Sequence, residues 1–98
     1  MHIIKRFIDL KRLLDDKQRR SPNQIVGFVP TMGALHEGHI SLIKESCTDC
    51  DMSICSIFVN PTQFGESNDL EKYPKPIEKD IELLIDIGCD VLFLPTVE

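Results

Sequence analysis

The run Ile54-Cys55-Ser56-Ile57-Phe58-Val59, ICSIFV, carries no regular polar alternation. Successive side chains of a strand point to opposite faces, so a strand with one wet face alternates apolar with polar residues. A run without that alternation is covered on both faces, the usual condition of a strand inside a parallel sheet. Asn60-Pro61-Thr62 ends it with turn-forming residues. This strand sets the expected fold, and the segments around it are read against it.

Upstream, Ile40, Ile43, Cys47 and Cys50 recur at three- and four-residue spacing, which predicts a helix from about Gly38 to Cys50. Before that helix, Ile25 to Val29 is a short β-branched run that reads as a buried strand. Phe7, Leu10, Leu13 and Leu14 predict an amphipathic helix over about Arg6 to Gln18, which Ser21-Pro22-Asn23 breaks. His2 to Ile4 forms a short first strand. Downstream, a polar loop runs to about Pro76. Ile77, Ile81, Leu84, Ile85 and Gly88 mark a third helix, and Val91 to Leu94 a last strand stopped by Pro95. The order β-α-β-α-β-α-β predicts an α/β fold: a Rossmann-like parallel sheet with flanking helices over residues 1–98. In open sheets of this kind ligands bind at the carboxyl ends of the strands. Pro30 to Glu37 and Asn60 to Pro76 are the loops that leave those ends.

Composition narrows the class. The chain has 98 residues with 42% apolar and 28% charged, enough for one globular domain with a modest core. No apolar run approaches the roughly 20 residues of a membrane span. The N-terminal MHIIKRFIDLKRLLDD is too charged for a signal peptide, so a cytoplasmic protein is expected, with no membrane partner. The net charge of −5 argues against a nucleic-acid scaffold. The basic run Lys17-Gln18-Arg19-Arg20 reads as a helix C-terminus, where cations suit the dipole. Cys47 and Cys50 form one C-x-x-C without the second pair of a zinc finger, and Cys55 and Cys89 lie in or near apolar runs. Reduced, buried thiols are expected.

The chemistry gathers in VPTMGALHEGHISL, Val29 to Leu42. His36 and His39 stand three residues apart at a junction between strand and helix, so they fall on one side of the first turn. Gly33 and Gly38 permit close backbone approach and positive φ. Unpaired amides at the helix start suit an anion such as phosphate, and two imidazole donors would stabilise charge building on it. Local capping is the bland alternative. A metal pair is a third, although zinc helices space their histidines i, i+4 and add an acid.

The run Pro30-Thr31-Met32-Gly33-Ala34-Leu35-His36-Glu37-Gly38-His39 resembles the signature of the pantoate–β-alanine ligases. Ser56-Ile57-Phe58-Val59-Asn60-Pro61-Thr62-Gln63-Phe64 matches a second block of that family. Asp69-Leu70-Glu71-Lys72-Tyr73-Pro74-Lys75 is similar to a third, and Phe93-Leu94-Pro95 fits as well. HxGH by itself marks only the wider nucleotidyltransferase superfamily; the first two blocks together are specific. The resemblance implies ATP-dependent condensation of pantoate with β-alanine through a pantoyl adenylate, with magnesium accompanying ATP. It places Pro30 to His39 at the ATP site, with His36 and His39 at the phosphates and His39 as proton donor. It places Gln63, Asn60 and Met32 at pantoate and β-alanine, and Asp80 near magnesium. Helix-start acids also occur for dipole reasons alone. A homodimer is implied too.

Two departures stand out. Lys75-Pro76 replaces the usual arginine–threonine, keeping charge but losing the guanidinium fork. The family's enzymes are also much longer, with a later lysine-rich ATP loop and a C-terminal domain. The expectation is therefore an N-terminal part of a nucleotide-binding domain. The alternatives are a non-catalytic nucleotide-binding or assembly module, and another HxGH adenylyltransferase.

Overall fold

The computed structural model of the chain describes residues 1–58 and 77–95. Within them the elements are β1 (His2–Ile4), α1 (Phe7–Arg20), β2 (Val26–Thr31), α2 (Glu37–Asp49), β3 (Met52–Ile57), α3 (Ile77–Ile87) and β4 (Val91–Phe93). The four strands form one sheet in the order β1-β4-β3-β2, and every pairing is parallel. The alternating order read from the sequence is the order observed.

The central strand behaves as its sequence requires. All six residues of β3 are buried, and the pleat deals them to opposite faces. Cys55 and Ile57 join Ile43 of α2, Leu84 of α3 and Leu92 of β4 in one core cluster. Met52 and Ile54 join Leu10 of α1 and Val91 of β4 in the other. Thus α2 and α3 cover one face of the sheet and α1 the opposite one. Ile43, Ile57, Leu84 and Leu92 are fully buried, so truncating any of them to alanine removes about 2 to 5 kcal/mol. The observed β3 starts two residues before the predicted one, because Met52 and Ser53 already pair with Val26 and Gly27.

Strand β2 differs from the expectation of burial. It lies at the sheet edge, and α1 packs on the other strands of its face. Val29 turns toward α2 and α3, while Val26, Phe28 and Pro30 on the other face are exposed. Proline lacks an N–H and is tolerated on an edge strand for that reason. Two helix residues also differ: Phe7 and Ile85 fit the apolar periodicity but are 68% and 54% exposed.

The helix ends follow local rules. Lys17, Arg19 and Arg20 occupy the last turn of α1, as the charge pattern predicts. Helix α3 ends where Gly88 adopts φ +98, and the amides of Gly88 and Cys89 both return to the carbonyl of Leu84. Gly27 serves a different need. A side chain there would run into Ser46 Oγ and come within 2.7 Å of Cys50 Sγ, so glycine lets α2 lie directly on β2. Ser46 Oγ then reaches Ser53 Oγ at 2.8 Å, tying α2 to β3.

Among the described residues no helix is long and apolar enough to cross a membrane. The cysteines are all free; Cys55 and Cys89 are buried, whereas Cys47 and Cys50 are only half-buried.

Candidate active site

The loop that leaves the carboxyl end of β2 is fixed residue by residue. Thr31, almost fully buried, donates its hydroxyl to the Ser56 carbonyl at 2.9 Å and accepts the Gly33 amide at 3.2 Å. The hydroxyl therefore joins the two strand ends and starts the turn. Gly33 sits at φ 95 and Ala34 at φ 53. Glycine enters this region freely, but alanine does so only under constraint.

That constraint comes from α3. Asp80 Oδ2 accepts the Ala34 amide at 2.9 Å, and Oδ1 accepts the Leu35 amide at 3.1 Å. The carboxylate is only 3% exposed, and an ionised group so deep in the protein needs partners of this kind. A groove of about 540 Å³, lined by Ala34, Leu35, Lys79, Asp80, Glu82, Leu83 and Asp86, runs along this contact. The resemblance assigns Asp80 to magnesium; in this structure each of its two oxygens accepts one backbone amide. Among the described residues no group of three or more His, Cys, Asp or Glu side chains could hold a metal ion.

The histidines follow. His36 is the N-cap of α2 in extended conformation, and its Nδ1 accepts the Gly38 amide at 3.1 Å. His39 Nδ1 accepts the His36 amide at 3.2 Å. The result is a reciprocal capping box in which imidazoles do the work usually given to Ser/Thr and Glu/Gln. The ring centroids lie 4.0 Å apart. A nitrogen that accepts a hydrogen bond carries no proton, so each neutral ring bears its proton on Nε2. Among the described residues neither Nε2–H has a partner, so both face outward as donors. His39 is held below its ordinary pKa of 6.5, first by desolvation and then by His36, against the opposing pull of Asp80.

Gly38 has a specific reason here. It lies within α2 and not at positive φ, contrary to expectation. A side chain at 38 would press on His36 at 3.0 Å from Cε1 and 3.2 Å from Nδ1. The glycine of HxGH makes room for the imidazole to fold back over the helix start. The amide donors expected for an anion are thus partly taken, and the imidazoles present their own N–H groups instead.

Of the residues singled out from sequence, Thr31, Gly33, Ala34, Leu35, His36, Gly38 and His39 form one connected unit. Met32 is 57% exposed beside it, and Pro30 and Glu37 are exposed too. Asn60, Gln63, Tyr73 and Lys75 lie outside the described residues. Sequence reasoning missed the Asp80 latch because its partners are 45 and 46 residues away, where no local pattern records a contact.

A four-stranded parallel α/β sheet with an interlocked HxGH pair at a strand's carboxyl end defines a nucleotidyltransferase-like domain. The family model for pantoate-beta-alanine ligase matches residues 2–98, and the chain belongs to that family. It is 54% identical over 79 residues to a pantothenate synthetase of Acinetobacter baylyi, covering 81% of this chain and 28% of that protein. It is 56% identical over 75 residues to the pantothenate synthetase of Alcanivorax borkumensis, covering 76% of this chain and 26% of the relative. Among solved structures it resembles the pantothenate synthetase of Thermus thermophilus at TM-score 0.69 and 38% identity, over 100% of this chain and 33% of the other. It also resembles pantoate-beta-alanine ligase from Francisella tularensis, complexed with beta-gamma ATP and beta-alanine. That match has TM-score 0.73 and 46% identity, over 97% of this chain and 35% of the other. The chain thus spans about a third or less of the length of these relatives.

Proposed function

We propose that the chain supplies the nucleotide-activating half-site of a pantoate–β-alanine ligase. The observation that carries this is the interlocked His36–His39 pair, whose Nδ1 atoms are both engaged and whose Nε2–H groups have no partner among the described residues. In the proposed reaction the pantoate carboxylate attacks the α-phosphorus of ATP. Pyrophosphate leaves and pantoyl adenylate forms. The amine of β-alanine then attacks the acyl carbon, AMP leaves with the carboxylate oxygen's bond pair, and the amine gives up a proton. Adenylation accumulates charge on the phosphate oxygens, and uncharged N–H donors already fixed in place stabilise it without reorganising. His36 and His39 would fill that role, with His39 placed to pass a proton. The backbone of Pro30 to Leu35 would face the nucleotide, and Gln63, Asn60 and Met32 would receive pantoate and β-alanine. Magnesium would arrive with ATP, as phosphate charge requires.

A second copy of the chain belongs to this proposal. The exposed Val26 and Phe28 on β2 support it as apolar surface. Cytoplasmic operation, the setting of soluble metabolites, belongs to the proposal as well.

The test is pantoate-dependent exchange of labelled pyrophosphate into ATP, with His39→Ala alongside. Exchange that needs pantoate and vanishes in the variant is the expected result. Exchange that ignores pantoate overturns the ligase reading. ATP binding without any exchange assigns the chain to a non-catalytic nucleotide-binding role.

A further inference from the structure

We propose that Asp80 is a positioning residue for the histidine pair: its buried carboxylate reaches from α3 to the amides of Ala34 and Leu35 and thereby sets the loop that delivers His36. The proposal rests on the nucleotide-binding reading above for its ligand, but its geometry stands apart from it.

Three observations converge. First, both carboxylate oxygens are used, one on each of two successive amides, at 2.9 and 3.1 Å. Two adjacent N–H groups pointing to one anion form a small nest, and here the anion is built into the chain. Second, the loop adopts a conformation it would not choose alone. Ala34 at φ 53 is disfavoured for an L-residue and persists where surrounding contacts over-determine it. Third, the latched segment runs straight into the N-cap. Leu35 packs against the core shared by α2 and α3, and His36 follows directly. Displacing the Leu35 amide therefore displaces the His36 amide that holds His39 Nδ1. The influence of Asp80 on His39 places its charge within electrostatic range of the pair.

A magnesium role makes a different prediction. As a magnesium ligand Asp80 would matter to ATP only when the ion is present, whereas the amide latch acts with or without it. Simple dipole stabilisation at a helix start requires neither burial nor two specific amides.

The experiment uses isotopically labelled chain and Asp80→Asn, which keeps the shape but turns one acceptor into a donor facing an amide N–H. Amide exchange should accelerate at Ala34 and Leu35 by about tenfold or more, the scale of one lost charge-assisted bond, while Cys55 and Ile57 of β3 stay protected. Imidazole nitrogen shifts should report Nε2-protonated rings in the wild type and mixed tautomers in the variant. A merely structural loss would leave those tautomers unmoved. ATP affinity should fall by a similar factor with and without magnesium chloride. Unchanged exchange at Ala34 and Leu35, or a loss of ATP affinity seen only with magnesium, overturns the proposal.

If Asp80→Asn does not fold, the wild type decides. Through-hydrogen-bond couplings from Asp80 Cγ to both amide nitrogens support the latch. Their absence beside visible couplings across the β2–β3 ladder sinks it. Should the wild type bind no ATP, the nucleotide reading fails, and exchange and couplings still judge Asp80.

Discussion

The amide of His36 donates to Nδ1 of His39 at 3.2 Å, so the second histidine of the motif holds the backbone of the first. Each ring thus has a structural nitrogen, Nδ1, and a second, Nε2, without a partner among the described residues. The two roles separate by substitution. His36→Ala removes the N-cap acceptor and should lower stability by about 1 kcal/mol. His36→Asn keeps a good cap and should stay near wild type. Both lose the Nε2–H, so both should weaken ATP binding alike. Urea unfolding and ATP titration of the two variants check this; equal stability losses would mean that His36 does not cap.

The same bond gives a pH dependence of definite sign. His39 is held below its ordinary 6.5, so the folded state prefers the neutral ring. Between the lowered folded value and 6.5 the unfolded chain binds more protons, and stability therefore rises with pH across that window. Above it this group adds no further slope. Protonated Nδ1 cannot accept the His36 amide, which is the structural face of the loss. Urea midpoints measured from about pH 5 to 8 should climb more steeply in wild type than in His39→Asn. Parallel curves would contradict the assignment.

Gly27 tests the packing of α2 on β2. Alanine there meets Ser46 Oγ and Cys50 Sγ, and Ser46 Oγ cannot withdraw without disturbing its bond to Ser53. Gly27→Ala should lose about 1 to 3 kcal/mol, the usual penalty of overpacking. Denaturant unfolding measures it. Ser46→Ala in the Gly27→Ala background should restore part of the loss, because it removes the closer obstacle.

The thiols should divide by depth. Burial, reinforced by Cys89, pushes the Cys55 thiol up to about 12, and Cys89 is raised by burial as well. The thiolate is the reactive form, so both should resist a thiol reagent in the native chain. Cys47 and Cys50 are half-buried and should react first. Timed alkylation with peptide mapping would show the order, and early labelling of Cys55 would contradict the packing of β3.

Much of the fold could be read from Ile54 to Ile57, because a strand buried on both faces needs helices on both. Phe28 departs from the expectation that an apolar strand is buried. Periodicity reports which residues share a face, not whether another element covers it, and β2's place at the edge depends on the order of all four strands. The histidines were visible because their relation is local. Their tautomers and the part played by Gly38 needed side-chain positions. Asp80 is legible as a helix-start acid, but its bonds to the Ala34 and Leu35 amides are not, since those partners lie 46 and 45 residues away.

The β2–β3 ladder runs six residues, from Val26 opposite Met52 to Thr31 opposite Ile57, and Thr31 locks its far end through the Ser56 carbonyl. It therefore acts as a ruler. Removing one residue from β2 would exchange its faces, turning Val29 to solvent and swinging Thr31 away from the Gly33 amide. Side chains along this strand can vary, since half of them meet water. Its length cannot, because the distance from Val26 to the histidines is counted in residues.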